Sequence, residues 1–314
     1  MSTRPVPEPV FRIVHTSDFS AASGIAFVHA LKLALAAHAE LDMFHVASQH
    51  GAPDWREFPT VRDMLHRWGI DGSQEPAGTP PRGPAVRVGK IVAVDGDPAH
   101  AAIEFMQQHP TELVVLATEQ RRGFDRWLHK ATAEPVARES GAMTLFLPGG
   151  AEGFVARDSG RVTLERILLP VDDVPAPQAG ADAVEALLKG LGYMGATGKI
   201  LHVGAASSMP DVRPPVPAVC NWELVVRAGN AVDEIVAAAE AWTANLIVMV
   251  TAGHTGVLDA LRGSTTERVV RLARCPVLAV PAGSRAMRRL FSSGSGTVPR
   301  CHQGASDTRG AGGR

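Results

Sequence analysis

The chain contains the same pattern twice, and this duplication restricts the folds that it can adopt. Residues 94–150 align with residues 227–283 at a constant offset, so that ELVVLAT in the first copy corresponds to NLIVMVT in the second. The segment FRIVHTSDFS (11–20) likewise resembles ERILLPVDDV (165–174). We therefore predict two copies of one unit, each of a size that is normal for a domain with its own core.

The predicted organisation is two domains joined by a short linker. The first domain covers residues 1–150 and carries a Gly- and Pro-rich insert at 48–85, with one helix candidate, WREFPTVRDMLHRW. Residues 151–163 form the linker and residues 164–283 the second domain. Residues 284–314 are mainly Gly, Ser and Arg with few aliphatic side chains, so we expect this tail to be disordered.

Within each unit, short apolar runs alternate with Ala-rich helical stretches. The runs RIVHTS (12–17) and RILLPV (166–171) are apolar on both faces, which is typical of buried parallel strands. Helical stretches follow at 23–39 and 180–195. Strands that alternate with helices form right-handed crossovers and a parallel sheet. The predicted fold class is α/β, with two tandem, doubly wound, five-stranded parallel-sheet domains.

The composition excludes several classes of function. A formal net charge of −1 provides no basic surplus for binding nucleic acid. No stretch approaches the roughly 20 apolar residues of a membrane span, and the N-terminus lacks the apolar core of a signal peptide, so we expect a cytoplasmic location. Cys220, Cys275 and Cys301 are far apart, and no hydrolase motif is present. We expect no metal site and no catalytic residues.

A glycine-containing segment follows the fourth predicted strand of the second unit. Gly253 and Gly263 are separated by nine residues, and Ser264 opens STTE, a capping-box pattern at a helix start. In doubly wound sheets, ligands bind beyond the carboxyl ends of the strands where the strand order reverses. A helix N-terminus there presents free N–H groups to an anion. A turn glycine with an ordinary helix cap is the alternative interpretation.

These motifs, which fall in the same order in both units, resemble the universal stress protein family. ATP-binding members of that family carry Gly-x2-Gly-x9-Gly-Ser/Thr. The resemblance extends over the chain except for the insert, the linker and the tail. It implies a non-catalytic stress-response protein whose second domain binds ATP or a related adenine nucleotide, with magnesium. The nucleotide-binding residues implied in this way are Pro170, Asp172, Val203, Met249, Val250, Gly253, Gly263, Ser264 and Thr265.

The second unit departs from the family motif at two places. Val250 occupies the position of the first glycine, and we expect its β-branched side chain to narrow the site. Asp172 corresponds to the aspartate that contacts the nucleoside in the family. It is followed by Asp173 and Val174, where the family often has Gly-Ser. Because neighbouring residues at a strand end point apart, we expect one solvent-facing and one helix-facing aspartate rather than a paired site.

The first unit has lost the motif. Ala117, Gln120, Lys130 and Ala131 occupy the motif positions, whereas Asp18 keeps the aspartate after the first strand. We therefore predict a structural partner that does not bind phosphate through this loop. The family commonly dimerises along its last strand. Here residues 144–148 and 277–281 are predicted to pair within one chain as a pseudo-dimer. The sequence does not decide whether two such chains form a homodimer.

Single histidines and cysteines offer weaker signals. His45 and His202 occupy matching positions at the end of the second strand of each unit, which favours a repeated core position. His254 lies inside the candidate loop, and Cys275 precedes the last strand, where we expect it to pack rather than to react. The residues leave three functions open: a nucleotide sensor, a nucleotide-free protein-interaction module, and a slow nucleotide hydrolase. The last is supported only by analogy with other proteins of this fold.

Overall fold

Ten strands form one continuous sheet in the computed structural model, which describes residues 11–47, 60–70, 86–94, 97–118, 141–252 and 264–292. Each repeat contributes five strands, as the sequence predicts. In chain order they are β1 (Arg12–Thr16), β2 (Glu40–Ala47), β3 (Val88–Val94), β4 (Leu113–Thr118), β5 (Met143–Pro148), β6 (Arg166–Val171), β7 (Ala196–Val203), β8 (Cys220–Arg227), β9 (Leu246–Thr251) and β10 (Val277–Pro281).

Helices connect the strands within each repeat. The predicted helices at 23–39 and 180–195 are present with shifted ends. Over the described residues the helices are α1 (Ala21–Ala37), α2 (Val61–Arg67), α3 (Pro98–Gln108), α4 (Gln178–Gly190), α5 (Ala231–Ala241), α6 (Thr265–Leu272) and α7 (Ala286–Ser292). None of these helices combines the length and apolar character that crossing a bilayer requires.

The strand order is β3-β2-β1-β4-β5-β10-β9-β6-β7-β8. All neighbouring strands within one repeat are parallel, so the predicted doubly wound parallel topology is confirmed. The order reverses between β1 and β4 in the first repeat and between β6 and β9 in the second. At these two points the neighbouring crossovers lie on opposite faces, which leaves a crevice at the carboxyl ends of the strands.

The two repeats are joined edge to edge through their last strands. β5 and β10 run antiparallel, with Leu278 opposite Leu145 and Ala279 opposite Thr144. The predicted pairing of 144–148 with 277–281 is therefore confirmed. Each strand covers the other's edge, and neither presents unpaired backbone groups at the centre of the molecule.

Helices cover both faces of the sheet and create two apolar layers. One layer lies under α1 and α4 and includes Phe27, Leu31 and Leu187. The other lies under α3, α5 and α6 and includes Ile103 and Val269. Strands that are covered on both faces need apolar residues at consecutive positions, which explains why the runs in the sequence do not alternate.

The segment between the repeats packs into the first repeat. Phe154 is fully buried, and its backbone N–H and that of Val155 both donate to Nε2 of His29 on α1, at 2.9 and 3.1 Å. Nε1 of Trp68, at the end of α2, donates to the carbonyl of Arg157 at 3.1 Å. The residues expected to be a simple linker therefore form part of the core, and α2 of the insert packs against them.

The expectation of a disordered tail is wrong for its first part. Residues 286–292 form α7, with Met287 and Leu290 buried and Phe291 beside Gly190 of α4. These apolar side chains follow the i, i+3, i+4 spacing of one helix face. The Gly, Ser and Arg content of the whole tail obscured this short pattern. Residues 293–314 lie outside the described residues.

Candidate functional site

A cavity of about 260 Å³ opens at the carboxyl ends of β6 and β9 in the second repeat. It lies at the switch point and is bordered by the N-termini of α5 and α6. Its volume is just below the roughly 300–1,000 Å³ that is typical of small-molecule sites. The position agrees with the predicted location of a ligand.

Most of the residues implied by the resemblance line this cavity together. Gly253 and Gly263 lie outside the described residues, as does His254. The predicted residues that contribute to the walls are Pro170, Asp172, Val203, Met249, Val250, Ser264 and Thr265.

Ten further wall residues were not among those implied by the resemblance. Thr266 follows the predicted Ser264 and Thr265 in the first turn of α6, and its position beside a candidate helix N-terminus was a usable signal. The residues after β6 and on α5 depend on how the loop after β6 folds back and how α5 is oriented, which no local motif indicates. The additional residues are Val171, Val174, Pro175, Pro177, Leu201, Ala231, Ile235, Thr251, Ala252 and Thr266.

The start of α6 supplies hydrogen-bond donors to the cavity. Oγ of Ser264 accepts from the N–H of Glu267 at 3.1 Å, so the predicted N-cap is present. The Glu267 carboxylate pairs with Arg271 in the next turn. The N–H groups of Thr265 and Thr266 belong to the first turn and have no carbonyl within the helix to bond. Together with the helix dipole, they favour an anion at this wall.

Asp172 contributes a carboxylate to the cavity wall at the end of β6. Its Oδ1 accepts from the N–H of Asp173 at 2.8 Å, which orients the carboxylate through its own turn. Asp172 and Asp173 are both exposed, so the expectation of one helix-facing aspartate is wrong. The loop after β6 turns away from the sheet at once and leaves both carboxylates in solvent. Asp172 lines the cavity and is a charged acceptor that the wall offers to a ligand hydroxyl.

Val250 is accommodated by a glycine on the facing helix. A Cβ added to Gly180 of α4 would lie 2.9 Å from Cγ2 of Val250 and 2.8 Å from Cδ1 of Leu169. The missing side chain at Gly180 therefore creates the space for a Val250 methyl group. Val250 still lines the cavity. The expected narrowing is thus partly relieved by α4, which sequence reasoning did not identify.

We expect Gly180→Ala to lower the free energy of unfolding by about 1–2 kcal/mol. Overpacking against a stiff β-branched side chain costs about 1–3 kcal/mol, and the better helix propensity of Ala returns up to about 1 kcal/mol. In a Val250→Ala background the same substitution should be less destabilising, because only the close contact with Leu169 remains. A double-mutant cycle by urea unfolding measures this coupling. Additive effects of the two changes would contradict the contact.

His202 and His45 form the same bond in the two repeats. Nδ1 of His202 lies 3.2 Å from the carbonyl of Val171, and Nδ1 of His45 lies 2.7 Å from the carbonyl of Ser17. In each repeat the ring therefore donates to the backbone where the first strand ends. The interpretation as a repeated structural position is supported, and His202 shapes the site by holding the end of β6 rather than by lining the cavity.

The first repeat differs at the corresponding place. The Oδ1 of Asp18 accepts from the N–H of Ser20 at 3.0 Å, so this aspartate shapes the turn before α1. Phe19 follows it with φ of 60° and packs on His45, with ring centroids 4.3 Å apart. An aromatic side chain thus stands where the second repeat has Asp173. Ala117 lies in β4, whereas Gln120, Lys130 and Ala131 lie outside the described residues.

Cysteine and metal chemistry have no support in the described part of the chain. Burial raises the pKa of the Cys220 and Cys275 thiols to about 12, so almost no thiolate is present at neutral pH. No group of three or more His, Cys, Asp or Glu side chains within the described ranges is arranged to hold a metal ion. Cys275 therefore acts as a packing residue, as its sequence context indicates.

Comparison with known proteins identifies the family. The model of the universal stress protein family matches residues 10–148 and 211–281, which together make up more than half of the chain. The chain belongs to the universal stress protein family. A universal stress protein of Methanocaldococcus jannaschii, MJ0531, is 52% identical over 52 residues. That alignment covers 17% of this chain and 31% of the relative, so the chain spans about a third of the curated relative that it matches.

Solved structures of tandem length share the fold of this universal stress protein. One from Archaeoglobus fulgidus superposes with a TM-score of 0.52 at 17% identity, covering 87% of this chain and 98% of that one. The functionally unknown protein PA1789 of Pseudomonas aeruginosa superposes with a TM-score of 0.52 at 16% identity, covering 90% and 96% of the two chains. At these identities the comparison concerns the fold alone.

Proposed function

We propose that this universal stress protein is a non-catalytic sensor that binds ATP or a related adenine nucleotide in its second repeat. The observation that carries the proposal is the cavity at the β6–β9 switch point, which has a carboxylate at one wall and a helix N-terminus at the other. A nucleotide has hydroxyl donors at its ribose and negative charge at its phosphates. The two walls match these two ends.

Asp172 is proposed to accept hydrogen bonds from the nucleoside. The start of α6 is proposed to hold phosphate oxygens through the Ser264 and Thr265 hydroxyls and the first-turn N–H groups. Met249, Val203 and Pro170 supply apolar contact for the base. Gly253 and Gly263 are proposed to border the phosphates, where the absence of a Cβ permits close backbone approach. Magnesium would accompany the phosphates, because the carboxylates at this end of the sheet would otherwise repel them.

Isothermal titration of ATP with magnesium into the whole chain tests this proposal. We expect one site per chain with a micromolar dissociation constant. Asp172→Ala should weaken binding by about 10-fold or more, because it removes an acceptor for the nucleoside. Asp173→Ala is the matched control, since this neighbour is also exposed but does not line the cavity. Gly263→Lys should abolish binding by filling the phosphate side.

A nucleotide-free interaction module is the alternative, and one observation favours it. Val174 lines the cavity but is 83% exposed, and a large apolar side chain in that position is suited to contact with another protein. Absence of heat with ATP up to roughly millimolar concentration, together with an unchanged melting temperature, would replace the sensor proposal with this one. Phosphate release above the buffer rate would contradict the non-catalytic part of the proposal.

A further inference from the structure

β8 forms one outer edge of the ten-stranded sheet and exposes two large apolar side chains. Leu224 is 65% exposed and Val226 is 42% exposed. In the described part of the chain, no strand pairs with its outer side. Protected edges usually carry charged side chains, especially Lys, or Pro or a bulge. β3, at the other edge, carries Lys90 and exposes Val92 at 37%, so the exposed apolar surface of β8 is the larger of the two.

The outward-facing backbone groups of β8 can be identified from its bonds to β7. The carbonyls of Val219 and Arg227 accept from the N–H groups of Ala196 and Gly204, at 3.3 and 2.8 Å. In a parallel ladder, alternate residues bond to one neighbour, so the odd-numbered residues of β8 face β7. Trp222, Leu224 and Val226 therefore direct their N–H and C=O groups outward. An added strand would find these donors and acceptors available.

The side chains of β8 are complementary to a second copy of the same strand. If β8 pairs antiparallel with itself about Val225, then Glu223 lies opposite Arg227 of the second copy, and Leu224 lies opposite Val226. Opposite charges and apolar side chains then meet on their respective faces. A two-fold axis at Glu223 would instead place two like carboxylates opposite each other. An axis at Leu224 would leave Glu223 opposite Val225.

Ion pairs within each chain extend this complementarity. Nζ of Lys199 lies 3.4 Å from Glu223, and the Arg227 guanidinium lies 3.2 Å from Glu234. In the register about Val225, each side of the axis would carry a row of alternating charge in the order Lys199, Glu223, Arg227 and Glu234, with the last two residues from the second copy. The apolar face would at the same time cover the exposed Leu224 and Val226.

We propose that β8 is a homodimerisation edge, and that two chains join through it about Val225 into one continuous sheet. The contact is isologous, so it closes as a dimer and leaves β3 as the outer edge on each side. It lies at the opposite end of the second repeat from the β5–β10 junction. The proposal does not depend on nucleotide binding.

Charge reversal tests both the edge and its register. Sedimentation analysis of the whole chain should give a dimer at micromolar concentration. Glu223→Arg alone and Arg227→Glu alone should each be monomeric. In either variant, positions 223 and 227 carry the same charge, and they lie opposite each other on both sides of the two-fold axis. An equimolar mixture of the two variants should recover a heterodimer, since both contacts are then between opposite charges. The double variant Glu223→Arg/Arg227→Glu should also recover the dimer.

A backbone variant tests the edge without altering charge. Val226→Pro removes an outward N–H that bonds to nothing in β7, so the fold should remain while the dimer is lost. Leu272→Lys, which changes a residue 51% exposed at the end of α6, is the control and should leave the dimer intact. Circular dichroism verifies folding of each variant. A monomeric wild-type chain, or a dimer that persists in Val226→Pro and in both single charge variants, would overturn the proposal.

Discussion

Lowering the pH from about 7 to 4 is expected to remove roughly 6 kcal/mol of folding free energy through two histidines. His15 and His29 are fully buried, and burial lowers the pKa of each to about 4 from an ordinary value of 6.5. The folded state therefore keeps both rings neutral while the unfolded state takes up protons. Linkage converts this difference into about 3 kcal/mol for each ring by pH 4. The loss is comparable with the whole stability of many domains.

The direction of the stability change and its pH range follow from the unfolded and folded pKa values of the two histidines. Above pH 6.5 both states are neutral and the two histidines do not contribute to pH dependence. As the pH falls from 6.5 to 4, protons bind to the unfolded chain and stability is lost. Below about pH 4 the folded rings protonate as well, and their contribution becomes constant.

The contacts explain why both rings stay neutral. Nδ1 of His29 lies 2.9 Å from the carbonyl of Ile25 and must carry the proton, so Nε2 is free to accept the two N–H groups of Phe154 and Val155. A second proton would remove this acceptor. His15 has a similar arrangement to His29. Its Nδ1 lies 3.1 Å from the carbonyl of Val115, and its Nε2 faces Oγ of Ser23.

Urea unfolding between pH 7.5 and 4.5, followed by circular dichroism, measures the effect. Keeping the pH at or above 4.5 limits the loss of stability that comes from protonation of carboxylates. His29→Gln provides an acceptor that does not titrate, so this variant should lose about half of the pH dependence even though it starts less stable. A stability that is flat across this range, or a His29→Gln profile parallel to the wild type, would contradict the assignment.

The sheet could be predicted because its information is local and repeated. Apolar runs identified the strands, and the duplication made each half a check on the other. The β5–β10 pairing was predicted because the family resemblance implies pairing along the last strand, and the duplication supplies two such strands in one chain. Asp172, Ser264 and Thr265 were found because the resemblance attaches roles to positions beside recognisable strand ends and a helix cap.

What sequence reasoning missed depends on contacts between distant residues. His29 and Phe154 are 125 residues apart, and neither carries a motif that refers to the other. The space for Val250 is provided by Gly180 on another element, so the crowding expected from the motif is partly relieved in the fold. Pro175 and Ile235 reach the cavity only through the path of a loop and the rotation of a helix.

Phe154→Ala is expected to lower the free energy of unfolding by about 3–5 kcal/mol, the range for removing a buried aromatic ring from a core. The ring is fully buried and meets His29 edge-on, with centroids 4.6 Å apart at 86°. The substitution also leaves a void beside the two N–H groups that bond to His29. A simple linker between two domains would tolerate the change almost without cost.

The matched control is Asp158→Ala, an exposed position in the same segment, which should change stability by no more than about 0.5 kcal/mol. Limited trypsin digestion provides a second readout, because cleavage after Arg157 or Arg161 requires the segment to open. Wild type and Asp158→Ala should resist cleavage there, and Phe154→Ala should be cut early. If Phe154→Ala instead costs less than about 1 kcal/mol and stays resistant, the segment does not anchor the second repeat to α1. If the loss is as large as expected, the segment between the repeats is part of the core of the first repeat.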